Sequence, residues 1–232
     1  MQLNKNSGRQ KEKCFQSKEC KKSDFMSVWQ NLWNPKNIKL MNAVSILTPA
    51  GPTDFFWRYK RMQALLKDAN LQNAKIIELG SGSGVMSLKL SKEFNAEITL
   101  VDNSENALLF AQKIAKEVYG IKEKKIEYIQ KDLFKLKDSK KFDLVHSQGL
   151  IEHFDPADKI IEKHIDLAKK NGYVLILAPR SSPAYRAVRK VIEFVYGKWP
   201  FGFEKPVEKK FVEQVFQQNN VELLCYKEYL FS

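Results

Sequence analysis

One segment constrains the fold of this 232-residue chain more than any other: Lys75-Ile-Ile-Glu-Leu-Gly-Ser-Gly-Ser-Gly-Val85. A short apolar run enters a loop with glycine at 80, 82 and 84, and a helical pattern follows over 84–94. A chain that turns from strand to helix within a few residues needs backbone angles that side chains resist. Glycine also lets a ligand approach the backbone with no Cβ in the way. Strand, glycine loop and helix in that order open a βαβ unit, and a βαβ unit implies a parallel sheet.

The rest of the chain continues the alternation. Apolar runs predict strands at 75–79, 97–102, 126–131, 142–147 and 173–178. Amphipathic spacing predicts helices at 84–94, 104–119, 156–168, 182–196 and 207–219, and a last strand at 221–231. Short apolar strands between amphipathic helices give an α/β fold: a doubly wound, mostly parallel sheet of six or seven strands covered on both faces. Upstream, Pro49-Ala-Gly-Pro52 breaks the chain, and Thr53 or Asp54 caps a helix running to about Asn70 with Phe55, Tyr59, Met62, Leu65 and Leu66 as its apolar stripe. Residues 1–24 are basic and polar and read as a disordered arm. Residues 25–52 carry Phe25, Trp29, Leu32, Trp33, Ile38, Leu40 and Met41 and read as an aromatic, helical N-terminal cap. Residues 53–232 form the main domain. A single strand at the C-terminal end leaves three readings, a six-stranded sheet with a covered edge, a dimer that shares an edge, or a sequence shorter than the natural protein, of which the first is favoured.

Two acids stand where the strands end. Asp102 closes the second strand, 18 residues after Gly84, and a carboxylate there can accept both ribose hydroxyls of an adenosine. Asp132 follows the third strand, where a carboxylate can take the adenine amino group while a neighbouring backbone N–H reaches a ring nitrogen. With these residues, 75–180 resembles the class I S-adenosylmethionine-dependent methyltransferases. The resemblance implies the cofactor S-adenosylmethionine. It matches Glu78, Gly80, Gly82 and Gly84 to the family's first motif, Asp102 to its ribose acid, and Asp132, with Leu133 behind it, to its adenine site. It also implies that the loops carrying Ser81 and Asn103, and the end of strand four at Ser147 and Gln148, contact the cofactor. A nicotinamide dehydrogenase would need Gly-x-Gly-x-x-Gly. Val85 and Ser87 stand where either register requires the last glycine.

The sulfonium donor is already activated, so a base is needed only when the acceptor must lose a proton. His153, after Glu152 in the turn following strand four, is the candidate. His146 reads as structural, and His164 as a helix-surface residue. Relatives that methylate quinone precursors carry Glu-x-x-Glu-His and bind a divalent metal. Gly149 replaces the first Glu, so no metal is expected. The Asn/Asp-Pro-Pro-Tyr/Phe motif of base and glutamine methyltransferases is replaced by Ser147-Gln-Gly-Leu150. Cys14 and Cys20 lie in the arm and Cys225 in the last strand, away from any cytosine nucleophile position. The acceptor pocket is expected from the loop after strand four and the 25–60 cover, where Trp29, Trp33, Trp57 and Tyr59 act as a lid and Arg58 either pairs with the methionine carboxylate or faces solvent. The 179–203 insertion, with Tyr185, Arg186, Val188, Arg189, Ile192, Phe194 and Trp199, would complete it.

A formal charge of +12 favours anionic partners without choosing among them. Neither a membrane-spanning run nor a signal-peptide stretch is apparent, which suggests a cytoplasmic protein. The expected reaction is methyl transfer to a small-molecule or lipid-like acceptor on oxygen, nitrogen or carbon. An RNA- or protein-directed methyltransferase and a non-catalytic cofactor-binding protein remain the alternatives, and oligomeric state is open.

Overall fold

The computed structural model describes residues 52–137, 141–179, 182–197, 199 and 201–227. The expected arm and cap, with Cys14 and Cys20, lie outside them. Among the described residues the order is α1 (Pro52–Leu65), β1 (Lys75–Leu79), α2 (Val85–Phe94), β2 (Glu97–Asp102), α3 (Glu105–Glu117), β3 (Ile126–Gln130), β4 (Phe142–Gln148), α4 (Asp158–Leu167), β5 (Ala168–Leu177), α5 (Pro183–Tyr196) and α6 (Lys209–Gln218).

The strands form one sheet in the order β3-β2-β1-β4-β5, and every pairing is parallel. From β1 the chain winds outward through β2 and β3, then returns to the other side for β4 and β5. The winding reverses between β1 and β4, so their C-terminal ends open a crevice, the usual ligand seat of such sheets. Among the described residues the sheet has five strands. Residues 221–227 carry no ladder pairing, and the rest of the expected last strand, 228–231, lies outside the described residues.

Alternation along each strand divides the core in two. Ile76, Ile98, Leu100 and Leu144 face α1, α2 and α3, where Met62, Leu66, Leu88, Leu90 and Leu108 meet them. Ile77, Leu79, Val101 and Val145 face the other way, onto Ile160, Ile161, Val215 and Phe216 of α4 and α6. Side chains this fully buried each contribute about 1.5–3 kcal/mol of transfer free energy, so both faces are committed and the register is fixed. β5 begins earlier than its apolar run suggests. It pairs Ala168 with Phe142, bulges through Gly172, and resumes at Tyr173 beside Leu144. A Cβ on Gly172 would stand 2.9 Å from the Phe142 carbonyl, which explains the glycine.

Candidate active site

The glycine loop leaves β1 and turns over the crevice. Gly80, Gly82 and Gly84 all have positive φ. At two of them a second reason appears. A Cβ on Gly80 would meet Leu150 Cδ1 at 2.7 Å, and one on Gly84 would meet Leu100 Cδ1 at 2.5 Å. The loop is therefore pressed against its own core, and the glycines serve packing as well as ligand approach. Backbone bonds hold its shape: Ser81 N–H donates to the Val101 carbonyl and Gly84 N–H to that of Ser81.

Asp102 ends β2 directly beside this loop. One carboxylate oxygen accepts the Gly82 N–H at 2.8 Å and the other accepts the Ser104 N–H at 2.8 Å. Burial raises its pKa, and the N–H groups of Ser104, Gly82 and Asn103 oppose that rise. Each oxygen keeps lone-pair capacity for another donor. Asp132 follows β3 and caps a 3₁₀ turn over Leu133–Lys135 by accepting the Phe134 N–H. Leu133 is buried beneath it.

Glu78 faces α2 rather than the loop's open side. It is buried, and accepts the Ser87 hydroxyl proton at 2.7 Å. Ser87 in turn lies 2.7 Å from His146 Nε2 on β4, the residue paired with Glu78 across the sheet. Burial lifts the Glu78 carboxyl to about 7 and depresses His146 to about 3, so His146 is a neutral donor to Ser87. On the opposite face Ser147 donates its hydroxyl proton to His164 Nε2, and His164 Nδ1 donates to the Ile160 carbonyl. Two expectations change here. His164 is fully buried rather than on a helix surface, and the Ser147 side chain is spent on α4, leaving only its backbone for a ligand.

The turn after β4 carries the remaining polar groups. Gln148 Nε2, Glu152 Oε2 and, in the glycine loop, Ser81 Oγ are buried and have no hydrogen-bond partner among the described residues. Orphaned donors and acceptors of this kind are costly unless a ligand meets them. They lie at the C-terminal ends of β1 and β4, so the residues present fit a ligand with both amino and carboxylate groups. Glu152 is raised to about 8, first by burial and then by the charge of Glu204, with the charge of Arg58 opposing the rise. Tyr59 is buried against α2, with its hydroxyl on Glu93, and is not a lid residue. Trp57 is exposed, and Trp29 and Trp33 lie outside the described residues.

The insertion after β5 closes the far side. His153 Nδ1 donates to the Phe203 carbonyl at 2.6 Å, and Lys205 N–H donates to the Glu152 carbonyl. Burial lowers the His153 pKa, while the carbonyls of Phe203 and Gly149 and the charge of Glu204 act the other way. Glu204 organises the insertion by accepting the Tyr185 hydroxyl and the Trp199 indole N–H, each at 2.6 Å. Arg189 donates to its carbonyl and stacks on Trp199. Of the insertion residues expected at an acceptor pocket, Tyr185, Arg189 and Trp199 come together, whereas Arg186, Val188 and Phe194 are turned to the exterior. Among the described residues no cluster of His, Cys, Asp or Glu could hold a metal ion, and no helix is long and apolar enough to cross a membrane.

The sequence did not single out Glu152 or Glu204. Glu152 was visible only as the neighbour of His153. The importance of Glu204 depends on residues 5 to 19 positions away that converge only in the fold.

Comparison with known proteins agrees with this geometry. The family model described as "Methyltransferase domain" matches residues 70–223, well over half of the chain. A ubiquinone biosynthesis O-methyltransferase of Pelagibacter ubique is 27% identical over 161 residues, covering 67% of this chain; the chain spans 65% of that relative's length. In fold, the chain is similar to magnesium protoporphyrin IX methyltransferase of Synechocystis with bound S-adenosylhomocysteine, at 19% identity and TM-score 0.58, covering 70% of this chain and 71% of that one. It is also similar to phosphoethanolamine N-methyltransferase 2 of Haemonchus contortus with S-adenosylmethionine, at 20% identity and TM-score 0.53, covering 74% and 37%. With that family match and a crevice lined by the glycine loop, the strand-end acid and unpartnered polar groups, the chain belongs to the class I S-adenosylmethionine-dependent methyltransferases.

Proposed function

We propose that this chain transfers the methyl group of S-adenosylmethionine to a hydroxyl oxygen, phenolic in character, of a small acceptor with an apolar body. The observation that carries the reading is the pairing of the His153 ring with the Phe203 carbonyl beside the aromatic insertion. With Nδ1 as donor, the lone pair sits on Nε2. A pKa lowered by burial keeps the ring neutral and able to accept a proton. A phenol needs such a partner, whereas a thiolate does not. The ubiquinone biosynthesis O-methyltransferase relative supports an oxygen acceptor.

Asp102 would hold the ribose hydroxyls, with Asn103 beside it. Asp132 and Leu133 would take the adenine. Gly80, Ser81, Gly82, Gly84 and Gln148, with Glu78 fixing the loop's base, would hold the methionine part. The bound cofactor supplies an electrophilic methyl group. The protein's contribution is to hold the acceptor oxygen in line with it, keep water out, and accept the hydroxyl proton at His153 Nε2. The Tyr185, Arg189 and Trp199 cluster forms the acceptor wall.

The test is S-adenosylhomocysteine production with a panel of phenols, amines and carboxylic acids, with and without an alkyl tail. Turnover confined to phenols, with His153→Ala losing about 10²–10⁴ in kcat/KM but retaining cofactor affinity, is the expected result. Turnover of amines alone, or an unaffected His153→Ala, would overturn it.

A further inference from the structure

Helix α5 presents an apolar face to the exterior. At helical spacing, Val188, Val191 and Val195 share one side with Phe194. Phe194 is 89% exposed, Val195 67% and Val191 62%. The opposite side carries Tyr185, Arg189 and Ile192 inward, so the helix is fixed to the domain by one face while the other has no described cover. Tyr196, Phe201 and Phe203 extend the exposed apolar area beyond the helix end. A contiguous patch of this kind on a folded domain is uncommon without an interaction partner.

Charge narrows the partner. Lys190 stands exposed at the border of the apolar face, four residues before Phe194. The helix has one acid, Glu193, which is paired with Arg189. The outer surface is therefore apolar at its centre and cationic at its margin, on a chain of formal charge +12. A nucleic acid would find the charge but has no use for the valine and phenylalanine row. A two-fold pairing of the helix with a second copy would set the cationic margin near its own equivalent. A bilayer surface rich in anionic headgroups meets both features, since apolar side chains enter the acyl boundary while lysine and arginine remain among the phosphates.

We propose that α5 is an interfacial helix that docks the enzyme, apolar face down, on an anionic lipid surface. The same helix supplies Tyr185 and Arg189 on its inner side, so docking brings the acceptor wall next to the bilayer. Lipid binding itself does not depend on which acceptor is methylated.

The full chain should co-sediment with phosphatidylcholine vesicles containing phosphatidylglycerol and bind poorly to phosphatidylcholine alone. The double variant Val191→Ser/Phe194→Ser should bind at least about tenfold more weakly. Lys190→Glu should weaken binding about fivefold, on anionic vesicles only. Unchanged S-adenosylhomocysteine affinity in each variant verifies that it is folded. The proposal is overturned if the folded wild-type chain does not bind anionic vesicles at low salt, as when the face is covered by residues before Pro52 or by a second copy. It is equally overturned if both variants bind as wild type does.

Discussion

The Asp102 carboxylate accepts the Gly82 N–H at 2.8 Å, joining the tip of β2 to the middle of the glycine loop. The residue proposed to hold the ribose therefore also fixes the loop proposed to hold the methionine part. Asp102→Asn keeps the shape but substitutes an amide for one of the two accepting oxygens. The expected loss is about 1.5–3 kcal/mol of S-adenosylhomocysteine affinity, roughly ten- to a hundredfold. Titration calorimetry on the folded variant checks it; unchanged affinity would remove Asp102 from the cofactor site.

A second outcome concerns packing rather than ligand. Gly84→Ala must place a Cβ at φ +64°, 2.5 Å from Leu100 Cδ1. Strain and overpacking together should lower stability by about 2–5 kcal/mol in urea unfolding without cofactor. Combining it with Leu100→Val should recover part of the loss. If Leu100→Val recovers nothing, the close contact is not the source.

The glycine loop and the strand-end acid were legible because their signals are local: three glycines after an apolar run, and an acid at the end of the next strand. The helical faces were less plain. His164 falls on the stripe of Ile160, Ile161 and Leu167, a spacing that marks an inward face, yet its polarity suggested the surface. Ser87 lies inward on α2 for the same reason. A buried polar residue is recognisable only when its partner is known, and the partners Ser147 and Glu78 sit on other strands. Tyr59 reads both as part of the helix's apolar stripe and as a lid residue, because aromatic residues suit cores and lids alike, and it is buried in the core. Its neighbour Glu93, 34 residues away, settles which. The last strand is described only as far as residue 227, and 221–227 form no ladder with the β5 edge beside which a further strand would pair.

His146 makes the acid stability of the cofactor-free protein depend on pH. Burial holds its pKa near 3 in the folded state, against about 6.5 when unfolded. Between those values the unfolded chain binds the extra proton, so this residue's contribution is intact above pH 6.5 and falls as pH drops toward 3. His146→Gln removes that dependence and can still donate to Ser87. Its stability relative to wild type should rise steadily from pH 6.5 to 4, measured by urea midpoints. A constant offset across that range would mean His146 is already charged in the fold.

Glu152 gives the opposite slope. Its folded pKa is about 8, raised first by burial and then by Glu204, against an ordinary 4.5. The folded state therefore keeps a proton that the unfolded state releases. Stability from this group is complete below pH 4.5, declines as pH rises, and levels off above 8. Glu152→Gln mimics the protonated form and should flatten that decline, leaving the cofactor-free variant more stable than wild type at pH 8 and nearly equal to it at pH 5. Activity separates this structural effect from a role at the site. If the Oε2 meets the cofactor's amino group, the variant should bind S-adenosylhomocysteine about tenfold more weakly despite its greater stability, because a carboxyl that can give up its proton beside an ammonium has been replaced by an amide that cannot. Thermal melts and calorimetry on the same preparation read both effects, and a variant that gains stability with unaltered affinity would limit Glu152 to shaping the turn that carries His153.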